Sequence, residues 1–431
     1  MNLTSTSSSP HSQASSRSPW FYVPTAYFAE GLPYVIVNTV STVMYKNLGV
    51  PNTLIGLTSL LYLPWVLKPL WGPTVDLLGT KRHWILWTQI SMALVLALVG
   101  GILHLPAFFN LSLALFILVA FTSATHDIAV DGFYLLALPP EKQAFFVGIR
   151  ATAYRLAMIF GTGVLVVIAG RLETRTANIA LSWTLVLIGS GILMAGIFLY
   201  HNFALPRPRA DHKATTESRG KSIPFLLVFK SYFQQKGILP ILAYIVLYRL
   251  GEAMLIKMAA PFLRDAHNVG GLNLTTETIG WVYGTVGVLC LVVGGILGGW
   301  LISKFGLRKC MWPMALAINV PDLNYVYLSA IAPSLQMVYL MVSLEQFGYG
   351  LGFSAFMVFM MYTARGEYKT SHFAISTGFM AMGMMLPGLL SGYLQDALGY
   401  YHFFIAVCLF TIPGMLTIFF LPKEVLEAQK D

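Results

Sequence analysis

The stretch "GPTVDLLGTKRH", residues 72–83, decides the fold, because it returns in altered form as "GWLISKFGLRKC", residues 299–310. Both copies read Gly-x3-Asp/Ser-x2-Gly-x-basic, and the glycines of the second follow those of the first by 227 residues. Glycine permits a tight turn and close helix packing, and basic loop residues favour the cytoplasmic side of a membrane. The repeat therefore predicts two halves of the same architecture. The second copy has Ser303 in the place of Asp76.

The composition around the two copies is that of a membrane protein with many spans. Hydrophobic residues make up 56% of the chain, charged residues 10%, and the mean hydropathy is +0.69, whereas a soluble domain has about 25% charged residues. Twelve apolar runs reach the roughly 17–25 residues that a membrane helix needs. They lie near 20–45, 53–77, 83–103, 111–138, 143–169, 179–202, 237–262, 277–302, 309–331, 334–362, 370–395 and 401–421. We expect an all-α fold with two six-helix bundles related by a parallel pseudo-twofold repeat.

Basic residues and one polar stretch predict the orientation and the domains. If the N-terminus is cytoplasmic, 18 of the 27 Lys and Arg residues lie on the inside, four on the outside and five within helices. This bias predicts cytoplasmic termini in the inner membrane, so the net charge of +9 indicates orientation and not nucleic-acid binding. The expected parts are a disordered tail (1–19), a six-helix bundle (20–203), a cytoplasmic linker (204–236), a second bundle (237–421) and a tail (422–431).

Charged side chains inside the predicted helices are the candidate functional residues, because each is costly in a bilayer unless it has a partner or water. In "ATHDIAVDGFYLLAL", residues 124–138, Asp127 and Asp131 share one helix face at i and i+4. On the antiparallel helix that follows, Arg150 should lie level with Asp131, and Arg155 level with Asp127. Two interpretations stay open: these pairs only lock the helices together, or at least one of them binds an acidic substrate.

Two further residues of this region are candidates. Lys68 lies too deep for a loop charge and has Asp131 as a possible partner, in a binding or gating role; the alternative is a side chain that reaches to the membrane surface. His126 precedes Asp127, and its imidazole could exchange protons near neutral pH, although a hydrogen-bonded packing role is the alternative.

The first helix supplies a candidate proton carrier. Glu30 is near its middle, next to Gly31 and Pro33, which should break or kink the helix and free backbone carbonyls beside the carboxylate. Asn38, two turns further out, could share the same face. The alternative for Glu30 is a hydrogen bond to another helix.

The second half carries its own charged residues. Arg249 and Glu252 are one turn apart and could satisfy each other. Glu345 has no basic neighbour in sequence, which makes it a second proton or cation candidate. Asp322 is expected to pack against helices of its own half.

Several motifs resemble one transporter family. The loop formed by Gly72, Asp76, Gly79, Lys81 and Arg82 is similar to the gating-loop signature of the major facilitator superfamily. Five stretches of the first 160 residues resemble its AmpG-like muropeptide permeases and the related acetyl-CoA and siderophore permeases. They are "FAEGLP" (28–33), "LPWVLKPLWGPTVD" (63–76), "WILWTQ" (84–89), "ATHDIAVDG" (124–132) and "VGIRATAYRLAM" (147–158).

The resemblance implies a secondary transporter that works by alternating access. We expect proton-coupled import of an anionic or amphiphilic solute such as an anhydromuropeptide, with a siderophore or another metabolite or drug as the alternative substrate. A membrane-embedded acyl-group transferase is the rival from another class, but the sequence offers no nucleophile or acid–base constellation for it, so we do not expect an enzyme. The three cysteines are scattered. We predict no cofactor, metal or nucleic-acid partner, and we expect a monomer in the lipid bilayer.

Overall fold

The computed structural model describes residues 17–208, 211, 225–331, 333–364 and 368–427. Most of the predicted N-terminal tail (1–19), much of the predicted linker (204–236) and the last four residues of the predicted C-terminal tail (422–431) lie outside these ranges, as does the side chain of Asp76.

Twelve long helical segments, α1 to α12, follow one another in the described residues, and the described chain is helical almost throughout. They are α1 (23–47), α2 (52–77), α3 (81–102), α4 (108–137), α5 (140–176), α6 (179–204), α7 (238–264), α8 (276–305), α9 (307–330), α10 (335–363), α11 (369–398) and α12 (400–416). A backbone bend at Gly399, with φ of 70°, separates α11 from α12. A short helix, Phe225–Phe233, precedes α7. This order confirms the predicted all-α fold.

Eight helical stretches of the described residues are both long enough and apolar enough to cross a membrane, and the last of them contains both α11 and α12. They are Asn52–Gly72, Lys81–Ile102, Phe108–Ala137, Phe145–Thr176, Ile179–Ala204, Ile238–Arg264, Thr276–Phe305 and Ser371–Phe420. Large apolar side chains on their outer faces are left exposed, such as Phe203 at 70% and Leu239 at 77%. Such faces suit lipid contact, because no other part of the described chain covers them.

The repeated glycines have the same structural task in both halves. Gly79 ends the turn after α2 with φ of +84°, and Gly306 lies between α8 and α9 with φ of +80°. Only glycine adopts this left-handed region without strain. After the first turn, the Thr80 hydroxyl accepts a hydrogen bond from the His83 N–H at 3.2 Å and caps α3. The repeat seen in the sequence is thus a repeat of helix–turn–helix geometry.

Within each half, neighbouring helices bury apolar side chains against one another. In the first half α3 packs on α4 and α6, and α1 packs on α5; in the second, α10 packs on α8 and α9, and α7 packs on α11 and α12. Trp183 of α6 is fully buried, and its indole N–H donates to Asn47 at 2.7 Å.

The two halves meet through α1 with α7, α2 with α11, and α5 with α8. Small residues bring the backbones close: a Cβ added at Gly56 of α2 would lie 3.0 Å from the Leu389 carbonyl oxygen of α11. Between α5 and α8 the contact joins two π-helical segments, Phe160–Leu165 and Gly280–Gly287, where Thr162 donates to the Gly284 carbonyl at 3.2 Å. These close contacts require glycine on at least one side.

Candidate functional site

The first charged group of the membrane interior is an ion pair between α2 and α4. Lys68 Nζ donates to Asp127 Oδ2, and the two side chains are 25% and 18% exposed. This geometry corrects the expectation that Asp127 pairs with Arg155 of α5, because α2 brings an ammonium on a flexible stem within reach of the same carboxylate. Arg155 instead lies at the border between the halves: a Cβ added at Gly295 of α8 would be 3.4 Å from its Nη2.

The predicted pair of Asp131 and Arg150 is present, with Nη1 and Oδ1 3.2 Å apart. Tyr27 of α1 completes it, since its hydroxyl donates to Asp131 Oδ1 at 2.8 Å and accepts from Arg150 at 3.0 Å. The guanidinium also lies over the rings of Tyr27 and Tyr134, at 5.3 and 5.1 Å from their centroids. The side chains of Asp131 and Arg150 are 50% and 35% exposed, so water reaches this part of the interior.

Glu30 adds a third carboxylate to this group. Its Oε2 is buried and has no hydrogen-bond partner among the described residues, and the carboxylate interacts electrostatically with Asp127, Lys68 and Arg150. The helix that we expected to break or kink at Gly31 and Pro33 continues as α-helix to Val35 and changes to a π-helical turn over Ile36–Val40. The backbone irregularity therefore begins three residues after Pro33.

Asn38 belongs to this π-helical turn and is 5% exposed. Its Nδ2 donates to the Tyr34 carbonyl at 3.0 Å, while Oδ1 has no partner among the described residues. Tyr34 in turn packs edge-on against Trp65 of α2, with the ring centroids 4.9 Å apart. Aromatic side chains of α1 and α2 thus lie above the charged group, towards the loop between these helices.

His126 faces away from the charged group, and its contacts are those of the hydrogen-bonded packing role, one of the two interpretations of the sequence. Successive residues of an α-helix are about 100° apart, so Asp127 and His126 point to different neighbours. The ring is fully buried, and its Nε2 lies 3.0 Å from the Gln89 amide of α3, which also contacts His201 of α6 at 2.8 Å. His201 continues the chain to Thr25 of α1 at 2.8 Å. This network connects four helices of the first half.

The Arg249–Glu252 pair of α7 is bidentate and almost fully buried. The Arg249 Nε and Nη2 atoms donate to the two Glu252 oxygens at 3.0 and 2.7 Å, and Nη2 also donates to the Tyr349 hydroxyl at 2.7 Å. The exposed fractions are 5% and 2%. The two residues satisfy each other, as their spacing suggested, and Phe353 of α10 covers the guanidinium at 5.0 Å.

Glu345 lies inside the second half, and it is 1% exposed. Its carboxylate accepts from Gln346 at 3.0 Å and from the Tyr325 hydroxyl at 3.4 Å. Asp322 of α9 is equally buried, has one oxygen without a partner among the described residues and interacts electrostatically with Glu345. This places Asp322 against its own half, as expected.

The residues of the predicted gating loop hold the first half together at the end that carries the termini. Backbone N–H groups of Lys81 and Arg82 donate to the Asp211 carboxylate at 2.8 and 3.2 Å, and Arg82 Nη2 donates to the Asn202 carbonyl of α6 at 2.6 Å. The Lys81 stem crosses α4, since a Cβ at Gly132 would lie 2.8 Å from its Cε. Gly72 of the same motif faces α4, and the side chain of Asp76 lies outside the described part of the chain.

At the opposite end, polar contacts join the two halves. Lys46, beside the α1–α2 loop, pairs with Asp265 after α7 at 2.6 Å. Asn52 donates to Gln395 at 2.5 Å and to the Tyr400 hydroxyl at 2.9 Å, and Tyr400 donates to Asp265 at 2.6 Å. These five residues form what we call the outer closure, a name that follows the orientation predicted from the basic residues.

A second set of contacts lies beside the outer closure, between α5 and α8. Arg171 Nε donates to Glu277 at 2.8 Å, and Thr276 donates to Glu173 at 2.9 Å. The exposed Asp131 and Arg150 lie towards the other end of α4 and α5. Polar contacts thus join the halves at the end away from the termini, whereas the solvent-accessible Asp131 and Arg150 lie nearer the end that carries them.

Comparison with known proteins places this geometry in a family. The family model described as Major Facilitator Superfamily matches residues 25–259 and 245–431. The chain belongs to the major facilitator superfamily. It is a secondary transporter embedded in a membrane, as the sequence predicted.

Several curated relatives align over most of the chain. The anhydromuropeptide permease of Escherichia coli K12 is 25% identical over 399 residues, which are 91% of this chain and 77% of that protein. An uncharacterized protein of Haemophilus influenzae is 26% identical over 91% of this chain and 92% of its own length. The putative transporter AmpG 4 of Rickettsia felis is 24% identical over 92% and 94%. These names support the predicted AmpG-like branch of the superfamily.

Solved structures show the same fold. A bacterial homologue of the human lysosomal transporter Spinster, crystallised inward-facing and unoccupied, superposes with a TM-score of 0.69 at 16% identity, over 94% of this chain and 96% of that one. The inward-open xylose transporter XylE of E. coli gives 0.68 at 11% identity, over 94% and 96%. At these identities the likeness concerns the major facilitator fold alone.

Proposed function

We propose that the protein imports an anionic or amphiphilic solute, such as an anhydromuropeptide, across the inner membrane together with protons. The observation that carries the proposal is the solvent-reached group of Lys68, Asp127, Asp131 and Arg150, which sets two cations and two carboxylates inside a membrane bundle. The name of the E. coli relative supports the substrate class.

The two cations suit a solute that carries carboxylates. An anhydromuropeptide is an amino sugar with a lactyl-peptide, so it offers carboxylates for Lys68 and Arg150 and sugar and peptide surfaces for aromatic rings. Arg150 can hold a carboxylate with two parallel hydrogen bonds. Because each cation already has a carboxylate partner of its own, a bound anion would compete with Asp127 or Asp131 for it. Protonation of that aspartate would release the cation, which links substrate binding to proton uptake.

Glu30 supports the proton part of the proposal. Its partnerless oxygen lies near both ion pairs, so a proton delivered to this cluster would change the partners of Lys68 and Arg150. Glu345 is the corresponding candidate of the second half, held by Tyr325 and Gln346. In the proposed cycle the bundles 20–203 and 237–421 rock against each other, with both termini on the cytoplasmic side. The protein works as a monomer and is not an enzyme.

Uptake into proteoliposomes tests this function. We expect radiolabelled anhydromuropeptide to accumulate when a pH gradient, acidic outside, is imposed, and a ferric siderophore not to accumulate under the same conditions. Uptake of the siderophore alone would show that the proposed substrate class is wrong, although the protein would still be a transporter. Accumulation that does not depend on the pH gradient would contradict proton coupling.

The proton carriers are tested by Glu30→Gln and Glu345→Gln. Each should lose accumulation driven by the pH gradient while it keeps counterflow of labelled against unlabelled substrate. Glu424→Gln is the matched control, since that carboxylate is 65% exposed beyond α12, and it should behave as the wild type. Full proton-driven uptake in both interior variants would show that neither carboxylate carries the proton.

A further inference from the structure

Lys257 is a buried cation at the border between the halves that the proposed cycle does not yet use. It lies on α7 and is 4% exposed. Eight residues separate it from Asp265 of the outer closure and five from Glu252. At about 1.5 Å per residue these are about 12 Å and about 7.5 Å along the helix. Lys257 therefore lies between the outer closure and the Arg249–Glu252 pair.

The partners of Lys257 are neutral and belong to the other half. Its Nζ donates to the Thr58 hydroxyl of α2 at 3.0 Å and to the Thr42 hydroxyl of α1 at 3.5 Å. The two threonines use their own protons towards the Ile55 and Asn38 carbonyls, so they offer Lys257 only acceptor oxygens. In the described part of the chain no carboxylate forms an ion pair with Lys257. A buried ammonium without an anion is costly, so this state of the interface is held by other contacts.

A free hydroxyl lies beside the ammonium. Ser59 is fully buried, and its Oγ has no hydrogen-bond partner among the described residues. It packs against Gly388 of α11, where an added Cβ would be 3.0 Å from the Ser59 Cβ and 4.0 Å from the Lys257 Cε. An ammonium and an unused hydroxyl donor thus face the same small space, at a point where α2, α7 and α11 converge.

We propose that Lys257 and Ser59 form a carboxylate-binding position that the outward-open state exposes. The proposal rests on the proposed function, because it names where the anionic solute first binds. When the outer closure opens, Lys257 moves away from Thr42 and Thr58, which belong to the other half, and its ammonium loses both acceptors. A carboxylate then bridges the widened gap: Lys257 donates to it from α7, and Ser59, which stays beside Thr58 on α2, donates to it from the other half. When the outer side closes again, the ammonium donates to the two threonines once more, and the carboxylate is released towards Lys68 and Arg150.

Kinetics with two forms of one substrate test this position. The probe is radiolabelled anhydromuropeptide, either with free carboxylates or with all of them amidated. Lys257→Met should raise the KM for the acid by about tenfold and leave the KM for the amide within about threefold, because only the acid loses a charge-assisted bond. Lys257→Arg should restore most of the affinity for the acid. Equal effects on both forms, or none on either, would overturn the proposal.

Melting temperature separates a binding role from a structural one. Lys257→Met removes a buried charge that has no anion, so the melting temperature of the purified protein should rise or stay level. Lys236→Met is the control, since that side chain is 88% exposed, and it should change neither the KM nor the melting temperature. A large fall in melting temperature for Lys257→Met would show a structural role.

Labelling from the outside tests the position independently of any substrate. With Cys290, Cys310 and Cys408 replaced by serine, Lys257→Cys should react with a membrane-impermeant thiol reagent in intact cells, and faster when Asp265→Asn weakens the outer closure. Absence of labelling in both backgrounds would refute the exposed position even if the wild type transports anhydromuropeptide. Conversely, labelling without transport of this solute would reject the proposed substrate and keep the exposed cation.

Discussion

The Lys68–Asp127 pair should couple α2 to α4, so loss of one partner should lower the free energy of unfolding more than loss of both. Removing one member of a buried pair leaves an uncompensated charge and costs about 3–5 kcal/mol, whereas an exposed pair contributes about 1 kcal/mol or less. With side chains 25% and 18% exposed, we expect about 2–3 kcal/mol for Lys68→Met or Asp127→Asn alone. The double variant should return to within about 1 kcal/mol of the wild type.

Equilibrium unfolding in mixed micelles of mild detergent and SDS measures this coupling, with tryptophan fluorescence as the signal. The matched control is Arg155→Ala combined with Asp127→Asn: because Arg155 lies towards α8 and not on Asp127, these two costs should add. Additive costs for Lys68 and Asp127, or coupling between Arg155 and Asp127, would refute the assigned pair. Uptake gives the second reading, since both single variants and the double variant should lose transport. Restored uptake in the charge-swapped variant would show a purely structural pair.

Three further perturbations follow from the interfaces. Lys46→Gln should remove the ion pair to Asp265 and shift the protein towards the outward-open state, seen as faster thiol labelling of outer positions; unchanged labelling would contradict a closing role. Gln89→Leu should lower the melting temperature by several degrees, because two buried histidines lose their shared partner, yet active protein should keep its KM; a changed KM would place Gln89 in the transport path. Gly284→Ala should slow turnover, since a Cβ there collides with the Thr162 carbonyl when the inner side is open; wild-type turnover would show that this contact is dispensable.

The architecture was predictable because a bilayer demands long apolar helices, and because the repeated glycines leave the same turn in both halves. Local pairs were predictable as well: Arg249 and Glu252 are one helical turn apart, so their side chains lie close enough to pair. Asp131 and Arg150 belong to helices joined by a short loop, so their depth in the membrane fixes their contact.

Contacts between helices distant in sequence were not predictable in the same way. We expected Arg155 to pair with Asp127 and considered Asp131 as the partner of Lys68, whereas the approach of α2 to α4 pairs Lys68 with Asp127. The sequence did not predict the hydrogen-bond network of His126, because Gln89 and His201 lie in separate apolar runs. The only signal was that each is a polar residue within an otherwise apolar helix. Lys257 is one of the five basic residues within predicted helices, but its place beside the partnerless Ser59 could not be predicted, because it depends on how α2, α7 and α11 converge.

The central claim is that the two bundles open on opposite sides in turn around the charged group. Pulsed electron spin resonance between labels on exposed positions measures it directly, with Ala107→Cys and Gln336→Cys at the outer end and His83→Cys and Ser303→Cys at the inner end, in protein without native cysteines. On addition of substrate with low pH outside, the account predicts that the outer distance grows as the inner one shrinks. Distances that stay fixed at both ends, or change together in the same direction, would contradict it.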